Sequence, residues 1–141
     1  MPELPEVETV ARTLRPHVQG CVITGARLLR DSSLHALSLR PEDLQGCTIT
    51  DVGRRGKLLL LELDTAQAAK PHVRAASGLR LAVHLRMTGR LMTYPESTPP
   101  GTHTRCVFDL TDAQCQKRHL FFDDVRAFGL LLAGTPQTMQ Q

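Results

Sequence analysis

The residues with the greatest chemical potential lie at the start of the chain, which reads Met-Pro-Glu-Leu-Pro-Glu-Val-Glu. Removal of Met1, common when a small residue follows, leaves Pro2 with a free secondary amine. An α-amino group has a pKa of about 7.7 to 8.0, roughly two units below lysine, so a useful fraction is unprotonated near neutral pH without burial. Attack by a secondary amine on an aldehyde or a sugar C1′ yields an iminium with no N–H to lose. That cation is an electron sink: it acidifies the adjacent C–H and promotes β-elimination. Glu3 and Glu6 flank the amine, and a carboxyl that is desolvated or beside another carboxylate has its pKa raised toward the range useful for proton transfer. The plainer alternatives are a simple terminal proline and glutamates that complement a helix dipole.

Three further groups stand out. Arg54-Arg55-Gly56-Lys57 puts three cations beside a flexible glycine just before an apolar run, a pattern that fits either a phosphate clamp or a solvated basic turn. His84-Leu85-Arg86-Met87-Thr88-Gly89-Arg90 mixes cations with a glycine and places Met87 where the apolar alternation stops; Met87 is there either an exposed wedge or a core filler. In Asp123 to Gly129, Arg126 and Phe128 are two apart, so in an extended segment both project to the same side. With an apolar wedge they would fill the hole left by an everted base, Phe128 stacking and Arg126 bonding to the orphaned partner. The alternative is a core phenylalanine and a surface arginine.

Positioning these groups falls to a helix and a series of strands. Val7, Val10, Ala11 and Leu14 form the stripe of a half-buried helix, with Pro5 in its first turn and Glu8 and Arg12 as an i,i+4 pair. Pro16 and Gly20 are expected to end it. Strand-like runs follow at Val22 to Leu29, Cys47 to Val52, Leu58 to Leu63, Leu79 to Leu85, Cys106 to Leu110, His119 to Phe122 and Phe128 to Leu132. In the fourth, Leu79, Leu81, Val83 and Leu85 share one face and Arg80, Ala82, His84 and Arg86 the other. Thr111 to Gln114 reads as a hairpin connection and Pro41 to Gln45 as one helical turn. Thr65 to Gly78 and Tyr94 to Thr102 read as exposed, mobile loops. The resulting fold class is mainly β within α+β: a two-layer β-sandwich of antiparallel strands flanked by an N-terminal helix and a second short helix.

The composition, 41% hydrophobic and 22% charged over 141 residues, supports one ordered domain and excludes a disordered chain. No apolar run approaches the roughly 18 residues of a membrane span. The acidic, proline-rich start lacks the basic-then-apolar order of a secretory signal, so a cytoplasmic location is expected. A net charge of +3 is a weak bias toward anionic partners. Cys21, Cys47, Cys106 and Cys115 contain no C-x-x-C pair, and the most metal-like set, Cys106, Cys115 and His119, lacks paired zinc-finger spacing; reduced thiols and no metal site are expected.

Taken together, Pro2 to Thr9, Arg54 to Leu60, His84 to Gly89 and Arg126 to Gly129, in that order, resemble the formamidopyrimidine-DNA glycosylase family, bifunctional base-excision repair enzymes acting on oxidised purines. The resemblance implies that Pro2 is the Schiff-base nucleophile, Glu3 the proton donor to the deoxyribose and Glu6 a supporting carboxylate. It implies phosphate contacts at Lys57 and His84, with Arg54 and Arg55 beside them, and a gap-filling triad of Met87, Arg126 and Phe128. The expected partner is damaged double-stranded DNA, bound by a monomer. Three departures accompany it: Ala127 stands where the family usually has a second basic residue, Thr65 to Gly78 is an insertion, and the family's helix-two-turn-helix and zinc-finger region, with its zinc, is not in these 141 residues. The expected organisation is a catalytic β-sandwich at 1–134 and the start of a linker at 135–141. Rival readings are a tautomerase-like isomerase using Pro2 as a base, and a DNA-binding module without catalysis.

Overall fold

The computed structural model describes residues 4–139. Pro2 and Glu3 lie outside the described residues. Helix α1 (Leu4–Val18) is followed by β1 (Val22–Leu28), β2 (Thr48–Arg55) and β3 (Leu58–Asp64), then a short helix α2 (Pro71–Arg74) and β4 (Arg80–His84). The chain continues through β5 (Gly89–Pro95), β6 (Thr104–Thr111), β7 (Lys117–Asp124) and β8 (Leu130–Gly134) to a final turn, α3 (Pro136–Met139). The strands form one antiparallel sheet in the order β5-β7-β6-β1-β2-β3-β4-β8.

The connectivity forces this sheet to curl. β5 is one edge and β4 lies next to the other, yet only residues 85–88 join them, a span of at most about 17 Å. The two halves therefore face each other across one core. Ile49, Val52, Leu59, Leu61, Leu81, Val83, Phe108, Leu110, Leu120, Phe122 and Leu131 all belong to a single buried cluster. This is the two-layer arrangement the alternating runs imply, made from one continuous sheet.

Helix α1 lays Val7, Ala11, Leu14 and Val18 into that core and packs chiefly on β2 and β5. It runs through Pro16 to Val18, two residues beyond the expected stop. Proline sacrifices one amide bond but its φ is compatible with a helix, and the last turn is held by tertiary contacts: Val18 is fully buried, and Arg118 of β7 donates to the His17 carbonyl at 3.1 Å. At the β8 edge, backbone groups that would otherwise invite another strand are taken up by the 34–39 segment, through His35 N–H to Leu131 O and Leu39 N–H to Ala133 O.

Three expectations need correction. β5 was not among the predicted strands, because only Leu91 of its seven residues is buried and an edge strand need not alternate. Thr65 to Gly78 is packed, not a loose loop: Ala68 and Val73 are buried, Arg74 donates to the carbonyls of Ala68 and Ala69, and Lys70 pairs with Asp43 at 2.5 Å. It plugs the end of the sheet carrying the β3–β4 connection. Pro136–Met139 forms a helical turn against β8 where an unpatterned tail was expected. The single helical turn expected from Pro41 is present, as a 3-10 turn over Pro41–Leu44.

Candidate functional site

Strand register gathers the candidate residues at one end of the sheet. Leu58 of β3 is opposite His84 of β4, and His84 is opposite Leu130 of β8; Gly89 of β5 is opposite Asp124 of β7. The β2–β3 hairpin with Lys57, the 85–88 connection with Met87, and the 125–129 connection with Arg126 and Phe128 consequently emerge side by side. The first turns of α1 reach the same end, since Glu8 pairs with Arg54 at 3.2 Å. Glu6 is exposed in the first turn of α1.

Lys57 sits in a two-residue hairpin turn whose first position, Gly56, has φ +59, the conformation glycine supplies at low cost. Its neighbours differ in role. Arg54, besides its pair with Glu8, donates to the Gly56 carbonyl at 3.3 Å, so it ties the start of α1 to the hairpin. Arg55 is exposed at the end of β2.

His84 is half-buried at the end of β4, and its Nδ1 accepts the Arg86 N–H at 3.2 Å. The neutral ring therefore carries its proton on Nε2. Burial, then the Arg86 and Lys57 charges, hold its pKa below the ordinary 6.5. At neutral pH this is an uncharged donor beside two cations, a setting that an incoming phosphate would relieve.

Met87 and Phe128 are 57% and 60% exposed, and so is Val125 at 60%, which argues against the core alternatives for Met87 and Phe128. The Arg126 guanidinium carbon stands 5.5 Å from the Phe128 ring centroid, and Arg126 Nη1 is 3.5 Å from Met87 Sδ. The three side chains form one cluster projecting into solvent. Arg126 and Phe128 do not meet by strand alternation, however: β8 begins only at Leu130, and Ala127 adopts φ +58. A left-handed residue between them turns the arginine back over the ring.

Sequence reasoning missed the group beneath this cluster. Asp124 is 1% exposed; its carboxylate accepts the Thr88 hydroxyl and, at 2.7 Å, the Gly129 N–H. An Asp-Asp pair at a strand end reads as a solvated turn, and nothing in composition marks the second as buried. The zinc-like set is not assembled. Cys106 is near the start of β6 at the site end and Cys115 is in the β6–β7 hairpin at the other, and among the described residues no group of three or more His, Cys, Asp or Glu could hold a metal. No described helix is long and apolar enough to cross a membrane.

A curled antiparallel sheet closed by an N-terminal helix, with basic and apolar side chains presented together on loops at one end, defines an α+β domain built to display a loop surface. Residues 1–131 match the formamidopyrimidine-DNA glycosylase N-terminal domain family, and the chain belongs to that family. It is 44% identical over 131 residues to the formamidopyrimidine-DNA glycosylase of Pelotomaculum thermopropionicum, covering 92% of this chain and 42% of the relative. To that of an Exiguobacterium species it is 39% identical over 143 residues, covering 99% and 45%. The fold is similar to Lactococcus lactis Fpg in complex with abasic-site DNA, with a TM-score of 0.77 and 27% identity over 99% of this chain and 46% of that one. A complex of the same Lactococcus lactis protein with oxidised-pyrimidine DNA gives a TM-score of 0.78 at 28% identity, covering 99% and 46%. The chain thus spans less than half the length of the relatives it matches.

Proposed function

We propose that this chain is the N-terminal catalytic part of a bifunctional DNA glycosylase and AP lyase that excises oxidised purines, such as 8-oxoguanine and formamidopyrimidines, by β,δ-elimination. The observation that carries the proposal is the exposed convergence of Met87, Arg126 and Phe128 beside Lys57 and His84. A tautomerase acting on a small keto acid has no use for such a cluster, whereas an enzyme that must keep a base out of its stack does.

In this reading Lys57 and His84 hold phosphates around the lesion, with Arg55 beside them. Met87, Arg126 and Phe128 occupy the vacated gap. Pro2, freed of Met1, attacks C1′, and the damaged base departs with the electron pair of the glycosidic bond. Glu3 protonates the ring oxygen so that the sugar opens to the iminium, with Glu6 as a supporting carboxylate. Loss of a C2′ proton then expels the 3′ phosphate, and a second elimination expels the 5′ phosphate. The family's zinc is assigned to its C-terminal region and to no residue of this chain. The matching cellular setting is a cytoplasmic monomer acting on damaged duplex DNA.

Phosphate contacts supply much of the affinity of such proteins, and losing half of them weakens binding by orders of magnitude at physiological salt. The 141-residue chain alone is therefore expected to act weakly. Borohydride trapping tests this: reduction of the iminium on abasic-site DNA converts it to a stable amine, visible as a protein–DNA adduct. A weak adduct with this chain, a strong one with a chain extended beyond Gln141, and none with Pro2→Gly are expected. Robust capture at low concentration by the 141-residue chain would show that the rest is dispensable. No adduct from the extended chain after mass spectrometry confirms loss of Met1 would leave a binding module without catalysis.

A further inference from the structure

The side chains of the exposed cluster touch one another only weakly, through a sulfur contact and a cation–π contact. They sit on two connections, 85–88 and 125–129, whose flanking strands are paired at both ends, His84 with Leu130 and Gly89 with Asp124, but which themselves lie outside those ladders. Each contains a non-glycine residue at positive φ: Arg86 at +55 and Ala127 at +58. Beneath them the polar groups form a closed relay. The Thr88 hydroxyl donates to Asp124 Oδ1 and accepts the Arg126 N–H at 3.1 Å. Asp124 Oδ2 takes the Gly129 N–H at 2.7 Å. The Asp124 carbonyl accepts from Arg105 Nε at 2.9 Å and from Ala127 N–H at 3.3 Å, and the Asp124 N–H is satisfied by the His103 carbonyl at 2.9 Å.

We propose that Asp124, acting through the Thr88 hydroxyl, is a positioning residue that locks the Met87 connection to the Arg126–Phe128 connection, so that the three side chains enter a duplex gap as one preformed wedge. The proposal rests on the wedge reading given above and adds the element that sets its geometry. Ordering exposed side chains costs conformational entropy at the moment of binding unless their backbones are already fixed. Between the ladder ends, one buried carboxylate ties the two connections together. The hydroxyl is essential to the relay because it alone serves as donor to the carboxylate and acceptor from the opposite loop.

The test uses a duplex with a tetrahydrofuran abasic analogue opposite 2-aminopurine, whose fluorescence reports unstacking of the orphaned base. The whole 141-residue chain is titrated to saturation on this duplex and on the same duplex without the abasic analogue, so that gap filling and phosphate binding are read separately. Met87→Ala and Phe128→Ala are expected to lose the signal. With Thr88→Val the affinity for the undamaged duplex stays near wild type, because Lys57 and His84 still hold phosphates. The affinity for the abasic duplex falls about tenfold, the usual worth of a hydrogen bond to a charged group, as the ordering cost returns to the binding step; Thr88→Ser restores it. A merely structural role would lower affinity for both duplexes alike. Undiminished affinity of Thr88→Val for the abasic duplex, or equal loss on both duplexes, overturns the proposal. Should Thr88→Val not fold, a double-mutant cycle in abasic-duplex affinity between Met87→Ala and Phe128→Ala, both at exposed positions, reads the coupling directly: strongly non-additive effects support one wedge and additive effects refute it. Unchanged signal in both single variants would overturn the wedge reading as well.

Discussion

His84 shows how a single residue carries a testable electrostatic consequence. Because its pKa in the folded protein lies below 6.5, the unfolded chain binds more protons as the pH falls past that value. His84 therefore contributes stability that is fully present above about pH 6.5 and is lost as pH drops toward its lowered folded value. A phosphate placed beside the ring has the opposite effect. Duplex binding is thus expected to take up a proton and to strengthen between about pH 7 and pH 5.5, and His84→Gln should flatten that dependence in a fluorescence titration. The cysteines give a second residue-scale outcome. Burial, and then the charge of Glu42 for Cys106 and of Asp64 for Cys47, pushes the Cys106 thiol up to about 12 and Cys47 up to about 11, and burial also raises Cys21. Cys115 alone is exposed. Alkylation at pH 8 followed by mass spectrometry should modify Cys115 at once and the other three only on unfolding.

At the scale of elements, the two ends of the curled sheet have separable duties. The site end depends on close approach of the 125–129 connection to β4: a Cβ at Gly129 would lie 2.8 Å from the His84 carbonyl oxygen and 2.8 Å from Phe122 Cζ. Gly129→Ala must push that connection outward, and a cost of about 1 to 3 kcal/mol in denaturant unfolding is expected, with loss of the 2-aminopurine signal. The opposite end is sealed by α2 and its flanks, where Val73 is fully buried. Val73→Ala removes two carbons' worth of burial and leaves a cavity, a cost of about 2 kcal/mol. Because it lies across the molecule from Lys57 and Met87, DNA affinity of the folded fraction should be unchanged. The insertion is thus a plug for the core, and its buried valine and alanine were hidden in a stretch whose lysine, histidine and arginine suggested a solvated loop.

For the molecule as a whole, the net charge of +3 says less than the way register gathers charge. Lys57, His84, Arg86 and Arg126 share one end because their strands are neighbours in the sheet. If that end takes the phosphates, Lys57→Ala should reduce the slope of log affinity against log salt by about 1. Arg54→Ala should act differently, through its pair with Glu8. Exposed pairs of this kind are worth up to about 1 kcal/mol, and the loss should appear in unfolding before it appears in the salt slope.

By itself the sequence determined the element types, through local pattern: the helical stripe of α1, strand-like apolar runs for seven of the eight strands, several of them alternating, and the hairpin at Asp112. It also determined which residue types could do chemistry, because an amine, a carboxyl or a guanidinium has its reactivity wherever it lies. Tertiary structure decided everything that depends on proximity between distant segments. Whether Met87 is wedge or core is set by the two connections between which it emerges, not by its neighbours in the chain. The pairing of Arg54 with Glu8 and the burial of Asp124 beneath Thr88 join residues 46 and 36 positions apart. Such contacts arise when a sheet closes on itself and local sequence pattern cannot encode them, since the energy of a buried polar group depends on partners that only folding supplies.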